Sequence, residues 1–171
     1  MDTLESIKSF CAQCGKRPLI LDTNIFLLFL IGNADKKFIR DTRCTQKFTP
    51  ENYDTLLIVF RYFKNEILIT PHILTEISNF SIRDISEPRL SHYFARKVER
   101  LKLHKEENIP LTDLLGMDLK LLTRFGFTDM GIIDIAKKTG AVIFSDDMGL
   151  CLHANSQKIP SINFTTLTSK V

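Results

Sequence analysis

Apolar residues along this chain fall into two kinds of run. Leu19-Ile20-Leu21, Ile67-Leu68-Ile69 and Ala141-Val142-Ile143-Phe144 are short and continuous, so they read as strands buried on both faces. Ser161-Ile162-Asn163-Phe164 reads as a fourth strand. Longer amphipathic stretches lie between them. Asn24 to Ile31 continues from the first strand as a helix, with Gly32-Asn33 as its stop. Thr49 as N-cap, Pro50 at the first helical position and Glu51 in the first turn open a helix that runs to about Lys64. Thr70-Pro71 opens the helix carrying Thr75, Glu76 and Ile77. Pro88 to Glu107 is predicted as one long, charged, solvent-washed helix, and Asp113 to Phe125 as another. Thr128 caps a helix from Asp129 to Gly140, and a short helix follows the third strand. Strands separated by helices imply an α/β fold: a three-layer α/β/α sandwich with a central, mainly parallel sheet.

Composition narrows the class without naming a function. A chain of 171 residues, 44% hydrophobic and 25% charged, suits one ordinary globular domain. Neither a repeat nor a linker rich in Gly, Pro or Ser divides it, so residues 1–171 read as a single domain. The net charge of +3 is too small to argue for nucleic acid by itself, although its sign favours a polyanion. Met1 to Phe10 carries Asp2, Glu5 and Lys8, unlike a signal peptide. The longest apolar stretch, Leu19 to Ile31, is interrupted by Asp22 and Asn24 and falls short of the ~20 residues of a membrane span. Cys11, Cys14, Cys44 and Cys151 make no disulfide framework, and Cys11-x-x-Cys14 is half a zinc or redox signature without its second pair. Reduced thiols and a cytoplasmic location are the expectation. His72, His92, His104 and His153 have no zinc-ligand spacing. Arg96, Lys97, Arg100, Lys102 and Lys105 share a stretch with Glu99, Glu106 and Glu107, which reads as a solvated face.

The acids carry more information. Ligands of an open α/β sheet bind beyond the carboxyl ends of the strands. Asp22 directly follows the first strand, Glu76 lies in the second turn of the helix after the second, Asp129 opens the helix before the third, and Asp146-Asp147 follow the third. Each alone is commonplace: Asp22 could simply cap a helix, and Asp129 could simply favour a helix dipole. Together they bring several carboxylates to one sheet edge. Like charges held that close need a counter-charge, and Mg²⁺ or Mn²⁺ with hard oxygen ligands supplies one. Asp134 shares a helix with Asp129 but lies five residues on, about 140° around, and so off its face.

These segments resemble a known family. Leu19-Ile20-Leu21-Asp22-Thr23-Asn24 looks like the opening motif of PIN domains. Thr70-Pro71-His72-Ile73-Leu74-Thr75-Glu76 is similar to the second motif, and Thr128-Asp129-Met130-Gly131-Ile132-Ile133-Asp134-Ile135-Ala136 to the third. Val142-Ile143-Phe144-Ser145-Asp146-Asp147 resembles the fourth, and Ile159 to Phe164 the final edge strand. The likeness spans Pro18 to Phe164. Residues 1–17 stand outside it as an N-terminal extension, and residues 33–49 look like an insertion.

The resemblance implies a metal-dependent endonuclease, most simply a ribonuclease, in which Asp22, Glu76, Asp129 and Asp147 hold Mg²⁺ or Mn²⁺. Thr23, Asn24, Ser145 and Asp146 would support them, with the Ser-x-Asp pattern selecting Asp147 over Asp146. Lys36, Lys37, Arg40 and Arg43, in the insertion, are candidate substrate contacts. RNA is the expected partner. Many PIN-like chains are toxins held by an antitoxin protein, and a homo-oligomer is compatible with the sequence. Two other readings compete. A haloacid-dehalogenase-like phosphatase could use Asp22, Thr70 and Asp146-Asp147, but that family has an aspartate where this chain has Asn24. A PIN-like scaffold could bind RNA or protein without cutting.

Overall fold

In the computed structural model, which describes residues 5, 8, 9, 12, 14, 16–63, 66–102 and 104–168, the apolar runs lie side by side. β1 (Leu19–Leu21), β2 (Ile67–Ile69), β3 (Lys105–Glu106), β4 (Val142–Ser145) and β5 (Ser161–Asn163) form one sheet in the order β3-β2-β1-β4-β5. Every pairing is parallel. β1 is central, with Leu19 opposite both Ile67 and Val142, and all three of its residues are buried. The fold is α/β with an all-parallel sheet.

The crossovers are helical. α1 (Thr23–Ala34), α2 (Phe38–Asp41) and α3 (Pro50–Tyr62) lie between β1 and β2, and α4 (Pro71–Asp84) and α5 (Glu87–Leu101) between β2 and β3. α6 (Leu111–Leu115) and α7 (Leu119–Thr139) return the chain to β4, α8 (Met148–Ser156) precedes β5, and α9 (Phe164–Thr168) follows it. From β1 the chain steps one way to β2 and β3, then crosses back to β4 and β5 on the other side. Right-handed crossovers therefore place α1–α5 against one face and α6–α8 against the other. They also make the gap between β1 and β4 the topological switch point, where a crevice opens beyond the strand ends. Among the described residues no helix is long and apolar enough to cross a membrane.

Local chemistry explains most boundaries. Asp22 caps α1, accepting from the Ile25 N–H at 2.8 Å. Thr49 and Asn52 exchange side-chain and backbone hydrogen bonds as a capping box ahead of α3. Thr70 caps α4 through the Ile73 N–H at 3.1 Å. Gly140 ends α7 at φ 72°, the left-handed conformation expected of a C-terminal glycine. The expected end of α3 at Lys64 lies outside the described residues, as does Cys11 of the Cys-x-x-Cys pair. Cys14, Cys44 and Cys151 are free thiols, and Cys14 packs into the core.

Several expectations give way. The helix predicted from Pro88 to Glu107 ends at Leu101, and Lys105–Glu106 pairs with Leu68 and Ile69 as edge strand β3. Two exposed charged residues carry no apolar signal, and charge suits an edge strand because it discourages pairing with other chains. That helix is not wholly solvated either, since Lys97 is 2% exposed. The sequence places one helix over Asp113–Phe125 where the structure has α6 and then the start of α7, which Asp118 caps through the Lys120 N–H at 2.7 Å. α7 itself is broken at Gly126.

Gly32 does not stop α1. The helix runs on to Ala34, and Gly32 leaves room for the Tyr53 ring of α3: an added Cβ would stand 2.7 Å from ring carbons Cγ and Cε2. Tyr53 is buried and cannot swing aside. Gly32→Ala should therefore lower the free energy of urea unfolding by about 1–3 kcal/mol. Gly131→Ala meets only ordinary contacts, 3.7 Å to Ile109 Cγ2, and should be neutral or gain up to about 1 kcal/mol from helix propensity. A harmless Gly32→Ala would show that the Tyr53 ring can yield and that the α1–α3 packing is loose there.

Candidate active site

Four elements send acids to the switch point. Asp22 leaves β1, Glu76 sits in the second turn of α4, Asp129 follows the break in α7, and Asp147 caps α8 through the Leu150 N–H at 3.1 Å. All four line one cleft of about 240 Å³, together with Thr23, Asn24, Phe80, Phe125, Gly126, Phe127 and Thr128. Acids far apart in sequence thus share one cavity.

Asp22 is the most buried of them, at 5% exposure. Its Oδ1 caps α1, while its Oδ2 accepts from the Ser145 hydroxyl and from the Asp146 N–H at 3.1 Å. Ser145 Oγ in turn accepts from the Asp147 N–H at 2.9 Å. One carboxylate and one hydroxyl therefore tie the end of β1 to the end of β4. Burial raises the Asp22 carboxyl to about 7, helped by the charge of Asp146 and opposed by these hydrogen bonds.

Glu76 is held differently. Thr23 Oγ1 donates to its Oε2 at 2.6 Å, and Thr128 Oγ1 donates to its Oε1 at 2.6 Å. These two hydroxyls join α1, α4 and α7 through one carboxylate. Thr128, read from sequence as a helix cap, spends its hydroxyl here. Its place one residue before Asp129 was the available signal.

Asp129 accepts no hydrogen bond among the described residues. Burial raises its carboxyl to about 7, with added repulsion from Asp147, Glu76 and Asp146. It is the acid whose charge is least compensated. Asp146 points out of the cleft lining, where it accepts from Asn24 Nδ2 at 3.1 Å and pairs with Lys47. So Asp147 enters the cleft and Asp146 flanks it, although both add charge at Asp129. Asp134 pairs instead with Lys138 at 2.8 Å and lies outside the cleft lining.

The basic insertion divides. Lys36 pairs with Asp54 of α3, and none of Lys36, Lys37, Arg40 and Arg43 lines the cleft. Lys47, from the same basic stretch, reaches the acids through Asp146 and leaves its side chain half exposed. Its neighbour Phe48 is buried against Phe164 and anchors that end of the segment.

Among the described residues no three acidic, imidazole or thiol groups are drawn together tightly enough to surround one ion as they stand. The donor set still suits a hard divalent cation. It consists of carboxylates around one cleft, and Asp129 is half-buried among like charges with no hydrogen-bond donor. Comparison with protein-family models, with curated proteins and with solved structures finds no match for this chain.

The raised carboxyls have a stability consequence in the metal-free protein. Between the unfolded carboxyl value near 4 and the folded value of about 7, the folded state binds more protons at Asp22 and Asp129. Their contribution is present below pH 4 and is lost as pH rises through 7. Urea unfolding in chelator should show stability falling across that window, at up to about 1.4 kcal/mol per pH unit for each acid. Asp129→Asn should flatten the fall and be the more stable protein above pH 7. Parallel curves for the two proteins would contradict the placement of Asp129.

Proposed function

We propose that this chain is a divalent-cation-dependent phosphodiester hydrolase of the PIN-like kind acting on RNA. One observation carries the reading: Asp22, Glu76, Asp129 and Asp147, from four separate elements, line a single cleft at the switch point of a parallel sheet. An acid cluster of this sort repels a phosphodiester by itself, so it fits a phosphate substrate only with a cation between them. Mg²⁺ or Mn²⁺ held by these four would lower the pKa of a water and offset charge on the scissile phosphate.

The chain's own groups hold the acids in place. Ser145 and the Asp146 N–H orient Asp22, and the two threonine hydroxyls orient Glu76. Asp129, free of such bonds, keeps its oxygens for the cation. Asn24, which also lines the cleft, holds Asp146 through its Nδ2. Two details support this reading over the phosphatase. Thr70 is 1% exposed with its oxygen committed to capping α4, and Asn24 cannot serve as a general acid.

The test is cleavage of a mixed RNA pool with Mg²⁺ or Mn²⁺, repeated in excess EDTA, with the product ends determined. Cleavage should need the metal and, as the family resemblance implies, leave 5′-phosphate and 3′-hydroxyl ends. Asp22→Asn, Glu76→Gln and Asp129→Asn should each lose about 100-fold or more in kcat while remaining folded. Asp134→Asn should stay close to wild type. Full activity in chelator or 2′,3′-cyclic phosphate ends would sink the mechanism. Hydrolysis of small phosphomonoesters without RNA cleavage would favour the phosphatase.

A further inference from the structure

The break in α7 puts an aromatic ring at the mouth of the acid cleft. Gly126 has φ 80° and ψ 174°, a backbone region essentially confined to glycine. An added Cβ there would meet nothing within 4 Å, so the conformation requires glycine and crowding does not. The break lets the first part of α7 reach α8 while the second part carries Asp129 into the cleft. Phe127 falls between the two, lines the cleft and remains 53% exposed. Among the described residues it has no ring partner, whereas Phe125 lies 5.1 Å from the His153 ring.

A lone exposed phenylalanine is ordinary on a protein surface. Two further facts set this one apart. Phe127 is two residues from Asp129, and Thr128 between them is tied to Glu76, so the ring sits at a defined distance from the acids. Three residues before it in sequence, the Arg124 guanidinium lies 4.8 Å over the ring of Phe125, which also lines the cleft, and makes no ion pair among the described residues. That guanidinium is close to Gly149, the residue whose added Cβ would also approach Asp147 Oδ1. Phe127 thus offers an exposed ring within the lining of the acid cleft, while Arg124, just outside that lining, packs on the neighbouring Phe125 near Gly149. Lys47 stands by Asp146 as the cation beyond it.

Resting on the nuclease reading, we propose that Phe127 seats an unpaired base of the nucleic-acid substrate and Arg124 holds a neighbouring phosphate. Together they set which phosphodiester is presented to the acids. A base stacks on an aromatic face whatever its identity, and guanidinium adds charge for the backbone. Because the ring and Asp129 belong to one short segment, seating the base also registers the strand. Phe127 therefore selects unpaired over paired strands and sets the register of cutting, whatever the base.

This chain contains no tryptophan, so Phe127→Trp introduces a single reporter at the platform. Binding is measured in the full chain carrying Asp129→Asn, so that a short mixed-sequence single-stranded RNA stays intact. Tryptophan emission should be quenched by the single strand and not by the same sequence annealed to its complement. Phe127→Ala and Phe127→Leu should each weaken binding about 5- to 150-fold, the range for loss of one stacked base. Arg124→Gln should weaken binding and make the log–log salt slope shallower by about 0.7, one phosphate's worth on a single strand. Circular dichroism checks that each variant is folded. Wild-type binding by Phe127→Leu, or equal quenching by duplex, overturns the proposal, since an apolar contact would then suffice. Loss of self-association without loss of RNA binding also overturns it and makes Phe127 a contact between copies. If wild type cuts RNA and Phe127→Ala does so with unchanged KM, this proposal alone fails. A wild-type chain that neither binds nor cuts RNA defeats the nuclease reading and this proposal with it.

Discussion

The Asp22 carboxylate is buried at the carboxyl end of the central strand, and a buried carboxylate is tolerable only when hydrogen-bond donors surround it. Its partners come from both directions along the chain. The Ile25 N–H belongs to the start of α1, and Ser145 and the Asp146 N–H belong to the end of β4. A single side chain therefore starts the first helix and locks the strands that flank the switch point. Replacing it with an apolar residue would leave three donors without their acceptor. The same arrangement also places Asp147, whose N–H donates to Ser145 Oγ.

Glu76 performs a similar joining task farther from β1. Its two oxygens are taken by hydroxyls from α1 and α7, so the helices on either side of the cleft meet through it. What these bonds leave over is charge. Asp129 is the acid without a donor, and burial first, then the charges of Asp147, Glu76 and Asp146, raise its carboxyl to about 7. Lys47 relieves part of this by pairing with Asp146 on the flank, yet no lysine or arginine lines the cleft itself. Within the described residues the repulsion around Asp129 is left without a positive group inside the cleft.

Two of the acids at this edge shape the backbone as well as line the cleft. Asp22 and Asp147 are helix caps, as the plainest reading of each would have it, and they also line the cleft. At Asp147 the two are compatible because a carboxylate has two oxygens, whereas both oxygens of Asp22 already accept hydrogen bonds. Asp147 uses Oδ1 for the Leu150 N–H. Capping fixes the side chain's rotamer and so preorganises the oxygen left over.

Sequence alone determined the strands β1, β2, β4 and β5, the caps at Thr49 and Thr70, the α/β class and the gathering of acids at the strand ends, while the choice of Asp147 over Asp146 rested on the family resemblance. Each of these rests on local information: continuous apolar runs, N-cap chemistry, and the order of carboxylates relative to strand ends. It did not determine β3, because Lys105 and Glu106 are exposed edge residues that owe their pairing to β2 rather than to any pattern of their own. Nor did it determine that Gly32 serves a close approach by Tyr53, that Thr128 bonds Glu76, or that Lys47 rather than Lys36 reaches the acids. Those outcomes join residues tens of positions apart, from 21 for Gly32 and Tyr53 to 99 for Lys47 and Asp146. Propensity and periodicity act over a few residues, whereas these contacts exist only once the sheet order and the handed crossovers have brought separate elements together.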